Sequence, residues 1–111
     1  MNFKEQTYYF IGIGGIGMSS IARYLFLQGA SVFGYDKTRS PVTNSLEQLG
    51  VTIVYDSSVG ALPFAVSSEK SLVVYTPAVS AEHSQLNFFI DQGNKVVKRA
   101  KLLGDLTQDT I

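Results

Sequence analysis

The chain has 111 residues, of which 45% are hydrophobic, and it contains no cysteine. This length suits one compact domain with its own core, and the lack of cysteine excludes disulfides, thiolate metal sites and cysteine nucleophiles. Nine basic residues balance nine acidic ones, so the charge supports neither nucleic acid nor membrane as a partner. Because the polar start MNFKEQ is unlike a signal peptide and no apolar run reaches about 18 residues, we expect a cytoplasmic protein.

The first half of the chain alternates apolar runs with helical patterns. The run YYFIGI predicts a buried strand, and GMSSIARYLFLQGA predicts a helix with Gly29 as its stop. A second strand, SVFGYD, ends at Asp36. Ser40 and the proline after it predict the N-cap and first turn of a helix over VTNSLEQLG.

The second half continues the alternation. VTIVY predicts a third strand, and Pro63 limits the following segment to one short helix or an irregular connection. SLVVYT predicts a fourth strand that Pro77 stops, and SAEHSQLNFFIDQGN predicts a helix with Ser80 at its N-cap. KVVKRA predicts a fifth strand, and KLLGDLTQ begins another helix. Three side chains of the helix after Ser80 are expected to face inward: Leu86, Phe89 and Ile90.

Strands and helices therefore alternate along the whole chain, at roughly 20–25 residues per strand–helix unit. This pattern predicts an α/β fold: a Rossmann-like, doubly wound parallel five-stranded sheet with helices on both faces. We expect residues 1–111 to form one domain.

The chain carries a glycine motif where the first strand becomes the first helix. Gly12, Gly14 and Gly17 fit G-x-G-x-x-G, and Gly15 is an additional glycine. In this context the glycines allow a tight turn, close approach of a phosphate to the backbone, and packing of the helix on the strand. The helix N-terminus adds an anion site. The motif predicts a diphosphate site, and the alternative is that the glycines only permit tight packing.

Asp36 lies about 20 residues after the motif, at the end of the second strand. An acidic residue there accepts hydrogen bonds from a ribose, and the alternative is that it caps the following turn. The residues alone thus predict a dinucleotide or nucleotide-diphosphate site, with NAD as the first candidate. An NAD(P)-binding domain of an oxidoreductase and a non-catalytic nucleotide-sensing module both remain possible functions.

Other polar residues favour plainer interpretations. His83 is the only histidine, and as no base or nucleophile is evident beside it, we expect a solvated helix residue. The acidic residues are scattered, which predicts no metal site. A short basic run is interpreted as a solvated strand end, in preference to a phosphate clamp; its members are Lys95, Lys98, Arg99 and Lys101.

The segment GIGGIGMSSIARYL resembles the N-terminal domain of the Mur ligases. Four further segments agree in order: VFGYD, PVTNSLEQLGVTIV, VVYTPAVS and VVKRAKLLGDL. The resemblance runs from Tyr8 to Leu106 and is strongest to members that add L-alanine to UDP-N-acetylmuramate. A relative that adds a tripeptide stays open. The resemblance implies a Rossmann-like domain that holds UDP, and not NAD, during ATP-dependent amide formation in peptidoglycan precursor synthesis.

The resemblance also implies which residues meet the substrate. The glycine loop from Gly14 to Met18 would surround the diphosphate, and Asp36 with Lys37 would meet the uridine. Arg99 would approach the substrate or the next domain. Ser40 and Thr43 would belong to the loop beside the uridine, and the segment Thr76–Ser80 would line the same crevice. The implied substrate-binding residues are Gly12, Gly14, Gly15, Ile16, Gly17, Met18, Asp36, Lys37, Ser40, Thr76, Pro77, Ala78, Ser80 and Arg99.

The family's reaction needs parts that this sequence does not contain. No G-x-x-x-x-G-K-[ST] loop occurs in it. The resemblance implies that ATP and Mg²⁺ bind a central domain and L-alanine a C-terminal domain, both absent from this chain. We therefore expect a UDP-sugar-binding domain with no cofactor, no metal and no catalytic residue of its own, within a cytoplasmic ligase.

Overall fold

The computed structural model describes residues 3–68 and 70–109, with side chains to residue 106. Within these residues five strands and four α-helices follow one another in the predicted order, with no α-helix between the third and fourth strands, and single 3₁₀ turns lie at Phe3–Glu5, Val59–Ala61 and Phe64–Val66. The strands are β1 (Thr7–Ile11), β2 (Ser31–Tyr35), β3 (Thr52–Val54), β4 (Leu72–Tyr75) and β5 (Val96–Lys98). The helices are α1 (Ile16–Leu27), α2 (Pro41–Leu49), α3 (Ser84–Gln92) and α4 (Arg99–Asp109).

The strands form one parallel sheet in the order β3-β2-β1-β4-β5. Chain order runs outward in one direction from β1 to β3 and in the other from β4 to β5. The order therefore reverses between β1 and β4, and in open α/β sheets ligands bind beyond the carboxyl ends of the strands at that point. The predicted parallel five-stranded fold is confirmed.

The two faces of the sheet bury separate cores, because successive strand side chains point to opposite sides. Tyr8 and Phe10 of β1 pack with apolar residues of α1, α2 and α4. Tyr9 and Ile11 pack on the other face, with α3 and the 3₁₀ turn that contains Val66. Helices thus cover both faces, as a doubly wound sheet requires. No helix in the described ranges is long and apolar enough to cross a membrane.

The start of α3 differs from the prediction. His83 is its N-cap, and Ser80 lies in a turn before the helix. The Ser80 side-chain oxygen accepts a hydrogen bond from the backbone N–H of Glu82 at 3.1 Å, and its carbonyl accepts one from the N–H of His83 at 3.0 Å. These local bonds close a separate turn, because serine competes with the helix for backbone donors. The prediction of Ser80 as the N-cap is wrong.

The inward face of α3 also lies elsewhere than predicted. Leu86 and Phe89 are buried, but Ile90 is 53% exposed. Gln85 is fully buried instead, and its side-chain oxygen accepts a hydrogen bond from the Tyr9 hydroxyl at 2.8 Å. Because Gln85 lies four residues before Phe89, the two share one helix face, and Ile90 turns to solvent.

Two further predictions concern the connection after β3 and the end of the fifth strand. The chain between β3 and β4 is an irregular connection with two 3₁₀ turns, as Pro63 predicted. The fifth strand ends at Lys98, and Arg99 already belongs to α4. This early helix start decides where the Arg99 side chain lies.

Candidate functional site

The glycine loop is anchored on the end of β2. Gly12 has a φ of +93°, which allows the chain to turn sharply after β1. The backbone N–H groups of Gly12 and Ile13 both donate to the Tyr35 carbonyl, at 2.8 and 3.0 Å. Ile13 is fully buried, and a Cβ on Gly34 would lie 2.5 Å from its side chain. Gly34, which sequence reasoning missed, therefore makes room for Ile13; a glycine inside a strand was the available signal.

Gly15 is the glycine of this loop that neither its backbone conformation nor close packing requires. Its φ of −64° is open to any residue. A Cβ placed on it would meet nothing nearer than the Gly12 carbonyl oxygen at 3.5 Å. By contrast, a Cβ on Gly14 would lie 2.6 Å from the Asp36 carboxylate, and one on Gly17 would lie 3.0 Å from Arg99. Tight packing accounts for Gly14, and for Gly17 as long as the Arg99 side chain keeps its position, but it does not account for Gly15.

The N-terminus of α1 is open. Gly15 is its N-cap, no side chain of the described residues caps it, and its first turn holds no acidic residue. The first backbone N–H groups of a helix have no partner within the helix, and the helix dipole makes this end positive. Ile16, the first residue of α1, is 85% exposed. This end of α1 therefore offers hydrogen-bond donors to an anion from outside.

Asp36 uses both carboxylate oxygens on the backbone around it. One oxygen accepts the Gly14 N–H at 2.7 Å, and the other accepts the Thr38 N–H at 3.1 Å. Asp36 thus caps the turn after β2 and also holds the glycine loop in place. Since a carboxylate oxygen has two lone pairs, each keeps one acceptor position. A contact between Asp36 and a ribose or uridine stays a prediction.

Arg99 brings a guanidinium to the N-terminus of α1. Its Nη1 lies 3.0 Å, and its Cδ and Cζ 3.1 Å, from the position that a Cβ on Gly17 would take. Arg99 is half-buried, so for this residue the interpretation as a solvated strand end is wrong; Lys95, Lys98 and Lys101 are exposed, as expected. The cause is the first turn of α4, which aims Arg99 at α1.

The charge of Arg99 is unbalanced. Among the described side chains, which run to residue 106 and leave out residue 69, the ion pairs join Arg39 to Glu47 and Lys101 to Asp105, both at 3.5 Å, and neither involves Arg99. A cation beside the positive end of a helix is unfavourable unless an anion lies between them. This corner of the molecule therefore favours binding of a negatively charged group.

A crevice of about 450 Å³ lies beyond the carboxyl ends of β1, β2 and β4. This is the place where the strand order reverses. Eight of its lining residues were predicted individually as site residues, and Val79 belongs to the segment Thr76–Ser80 that was predicted to line the crevice. Tyr35 and His83 were not predicted. The predicted lining residues are Gly12, Gly15, Met18, Asp36, Lys37, Thr76, Ala78 and Ser80.

The other predicted site residues do not line the crevice. Ser40 caps α2: its hydroxyl accepts the Thr43 N–H at 3.2 Å, and its own N–H donates to the Thr43 hydroxyl at 2.9 Å. Both residues thus have a structural role at the start of α2. Gly14, Gly17 and Arg99 lie at the α1 N-terminus as described above, and Ile16 and Pro77 are exposed.

His83 is not the solvated residue that the sequence led us to expect. Its ring packs edge-on against Tyr35, with 4.9 Å between ring centroids. Both ring nitrogens are buried and lack a hydrogen-bond partner in the described part of the chain. Each such unpaired polar atom costs about 1–3 kcal/mol. Burial lowers the pKa of His83, so its imidazole is neutral at pH 7.

Tyr35 completes this part of the crevice. Burial, followed by the nearby Asp36 and Asp56 carboxylates, raises the pKa of its hydroxyl. The phenol therefore stays protonated.

Across the part of the chain that the structure describes, no three histidine, aspartate or glutamate side chains gather as metal ligands would.

Comparison with known proteins agrees with the family resemblance seen in the sequence. A family model described as "Mur ligase family, catalytic domain" matches residues 7–110. A UDP-N-acetylmuramate–L-alanine ligase of Porphyromonas gingivalis is 51% identical over 100 residues, which are 89% of this chain and 22% of that protein. The enzyme of that name from Flavobacterium johnsoniae is 44% identical over 111 residues, covering 99% of this chain and 25% of that protein.

A solved structure agrees. The crystal structure of UDP-N-acetylmuramate–alanine ligase from Thermotoga maritima matches with a TM-score of 0.85 and 27% identity, over 95% of this chain and 23% of that one. The chain thus spans about a quarter of the length of the relatives that it matches.

Proposed function

The chain belongs to the Mur ligase family, and from that membership we propose that it holds the UDP part of UDP-N-acetylmuramate for a ligase. In this proposal it is the N-terminal domain of a longer enzyme that joins L-alanine to the muramyl carboxylate. The relatives that carry this activity in their names are about four times as long as the matched segment. The activity is therefore assigned to the longer protein, and nucleotide binding to this chain.

The observation that carries the proposal is the corner between α1 and α4. There an uncapped helix N-terminus, a glycine at position 15 that neither backbone nor packing requires, and Arg99, which forms no ion pair with a described side chain, come together. Backbone N–H groups and a guanidinium are the donors that bind phosphate oxygens in proteins. A diphosphate supplies the negative charge that this corner lacks. It would contact the loop from Gly14 to Met18.

The uridine then lies in the crevice that begins at this corner. Asp36 and Lys37, just after β2, line this crevice, and so do four residues of the segment Thr76–Ser80. A ribose hydroxyl that donates to Asp36 would use the acceptor positions left by its two backbone bonds.

In the ligase reaction this chain would bind the UDP part of the substrate and take no part in the chemistry. In the proposed enzyme a muramyl carboxylate oxygen attacks the terminal phosphorus of ATP, and ADP leaves. The amine of L-alanine then attacks the acyl carbon, and phosphate leaves as the amide forms. ATP, Mg²⁺ and L-alanine are assigned to parts of the enzyme beyond these 111 residues, and no residue here is assigned to catalysis. We propose the cytoplasm as the site of this reaction.

Titration calorimetry of this chain tests the proposal. We expect heat of binding with UDP-N-acetylmuramate and with UDP, and none with NADH or ADP. Tight binding of NADH without a response to either uridine ligand would overturn the proposal in favour of an oxidoreductase domain. Tight binding of ADP alone would instead favour a nucleotide-sensing module.

A further inference from the structure

One end of the crevice carries an aromatic pair that the proposed function does not use. Tyr35, the last residue of β2, and His83, the N-cap of α3, meet edge to face and both line the crevice. The two imidazole nitrogens are buried, and no group of the described residues pairs with them. Native proteins pair nearly all buried polar atoms, so two orphans on one ring call for a partner from outside the fold.

We propose that His83 binds the uracil base of the nucleotide, with one imidazole nitrogen hydrogen-bonded to the base edge at N3–H or O4. The inference rests on the proposed function, because it assigns the base to the crevice whose other end holds the diphosphate. The imidazole turns about its Cβ–Cγ bond to present that nitrogen, and an unpaired buried atom gains a partner. The edge contact with Tyr35 supports the ring.

The chemistry of the two groups matches. A neutral imidazole offers one N–H donor and one acceptor nitrogen. Uracil offers a donor at N3 and an acceptor at the adjoining O4. Burial lowers the pKa of His83 and keeps the acceptor nitrogen available at pH 7. The inference makes His83 a binding residue with no part in the chemistry of amide formation.

A substitution of His83 by phenylalanine separates this role from folding. No His83 side-chain hydrogen bond caps α3, so H83F removes no cap, and a phenyl ring keeps the edge contact with Tyr35. The matched control is Glu82→Gln, one residue earlier, where the side chain is exposed. Thermal melting of each variant verifies the fold, and His83→Gln, which keeps a donor and an acceptor, provides a second variant.

The probes are UDP, UDP methylated at N3, and inorganic diphosphate, each titrated calorimetrically into the chain. The wild type is expected to bind UDP about tenfold more tightly than the methylated nucleotide, as loss of one hydrogen bond that leaves a buried partner predicts. H83F is expected to lose about tenfold for UDP and to bind both nucleotides equally. Its affinity for inorganic diphosphate is expected to match that of the wild type and of Glu82→Gln.

The outcomes separate the two proposals. Wild-type affinity of folded H83F for UDP, or an undiminished preference over the methylated nucleotide, overturns the role of His83 and leaves the UDP site standing. Failure of the wild type to bind UDP at all overturns the proposed function, and this inference with it. Partial recovery in His83→Gln supports the hydrogen bond.

Discussion

The N-termini of α1 and α2 lie in the same half of the chain and are built in opposite ways. At α2, Ser40 and Thr43 exchange hydrogen bonds between side chain and backbone, and Pro41 fills the first position. At α1, Gly15 stands at the cap with no side chain to offer. The N-terminus of α2 is thus closed by its own sequence, whereas that of α1 is open to an anion.

Charge sharpens this contrast. Arg99 reaches the open end of α1 from α4, more than 80 positions away along the chain. Adding a cation to the positive end of a helix destabilises an empty site and strengthens an occupied one. The comparison of α1 with α2 indicates that a helix N-terminus that lacks a cap and lies beside an unpaired cation is a ligand-binding site.

The largest expected effect comes from filling the open end. Gly15→Val should weaken UDP binding more than about 100-fold, because the branched side chain takes the place of the anion and several charge-assisted hydrogen bonds are lost. Stability should stay near that of the wild type, since the backbone there is extended and a Cβ has room. Calorimetry and urea unfolding measure the two effects. Wild-type affinity in a folded variant would remove the diphosphate from this loop.

Removing the positive charge of Arg99 should have the next largest effect. Arg99→Gln is expected to weaken UDP binding about tenfold to 100-fold, the range for a hydrogen bond to a charged group. Lys98→Gln is the matched control, because it removes one positive charge from the adjacent, exposed position. Equal losses in both variants would mean that only the net charge matters.

Removing the Ser40 cap of α2 should lower the stability of the fold and leave the affinity for UDP nearly unchanged. Ser40→Ala is expected to lower the free energy of unfolding by about 1 kcal/mol through loss of the α2 cap. Urea denaturation measures this loss, and UDP titration measures the affinity, which should change little. If affinity fell tenfold while stability held, Ser40 would instead be a substrate contact, as the family resemblance implies.

The smallest expected effect is a pH dependence that His83 adds. Burial lowers its pKa in the folded chain below the unfolded value of 6.5, so the unfolded chain binds the proton more tightly. The stability contributed by the neutral ring is complete above pH 6.5 and is lost as the pH falls from there through the folded pKa. H83F should therefore lose less stability than the wild type between pH 6.5 and 5.5. Parallel loss in both proteins would assign the pH dependence to other groups.

The features that the sequence predicted are mostly local ones. The glycine motif, the Ser40–Pro41 helix start and the alternation of strands and helices each depend on neighbours within a few positions. The features that it missed depend on distant contacts. Gly34 makes room for Ile13, Arg99 lies against Gly17, and the ring of His83 packs against Tyr35. No pattern in one sequence states which of these residues meet after folding.

The most direct test follows the backbone amides of a ¹⁵N-labelled chain by NMR as UDP is added. Hydrogen bonds from the first turn of α1 to a diphosphate should shift the amide signals of Ile16, Gly17 and Met18 downfield, while those of Val42 and Asn44 in α2 stay in place. If the first-turn amides of α1 kept their shifts as UDP saturated the chain, the central claim would be contradicted.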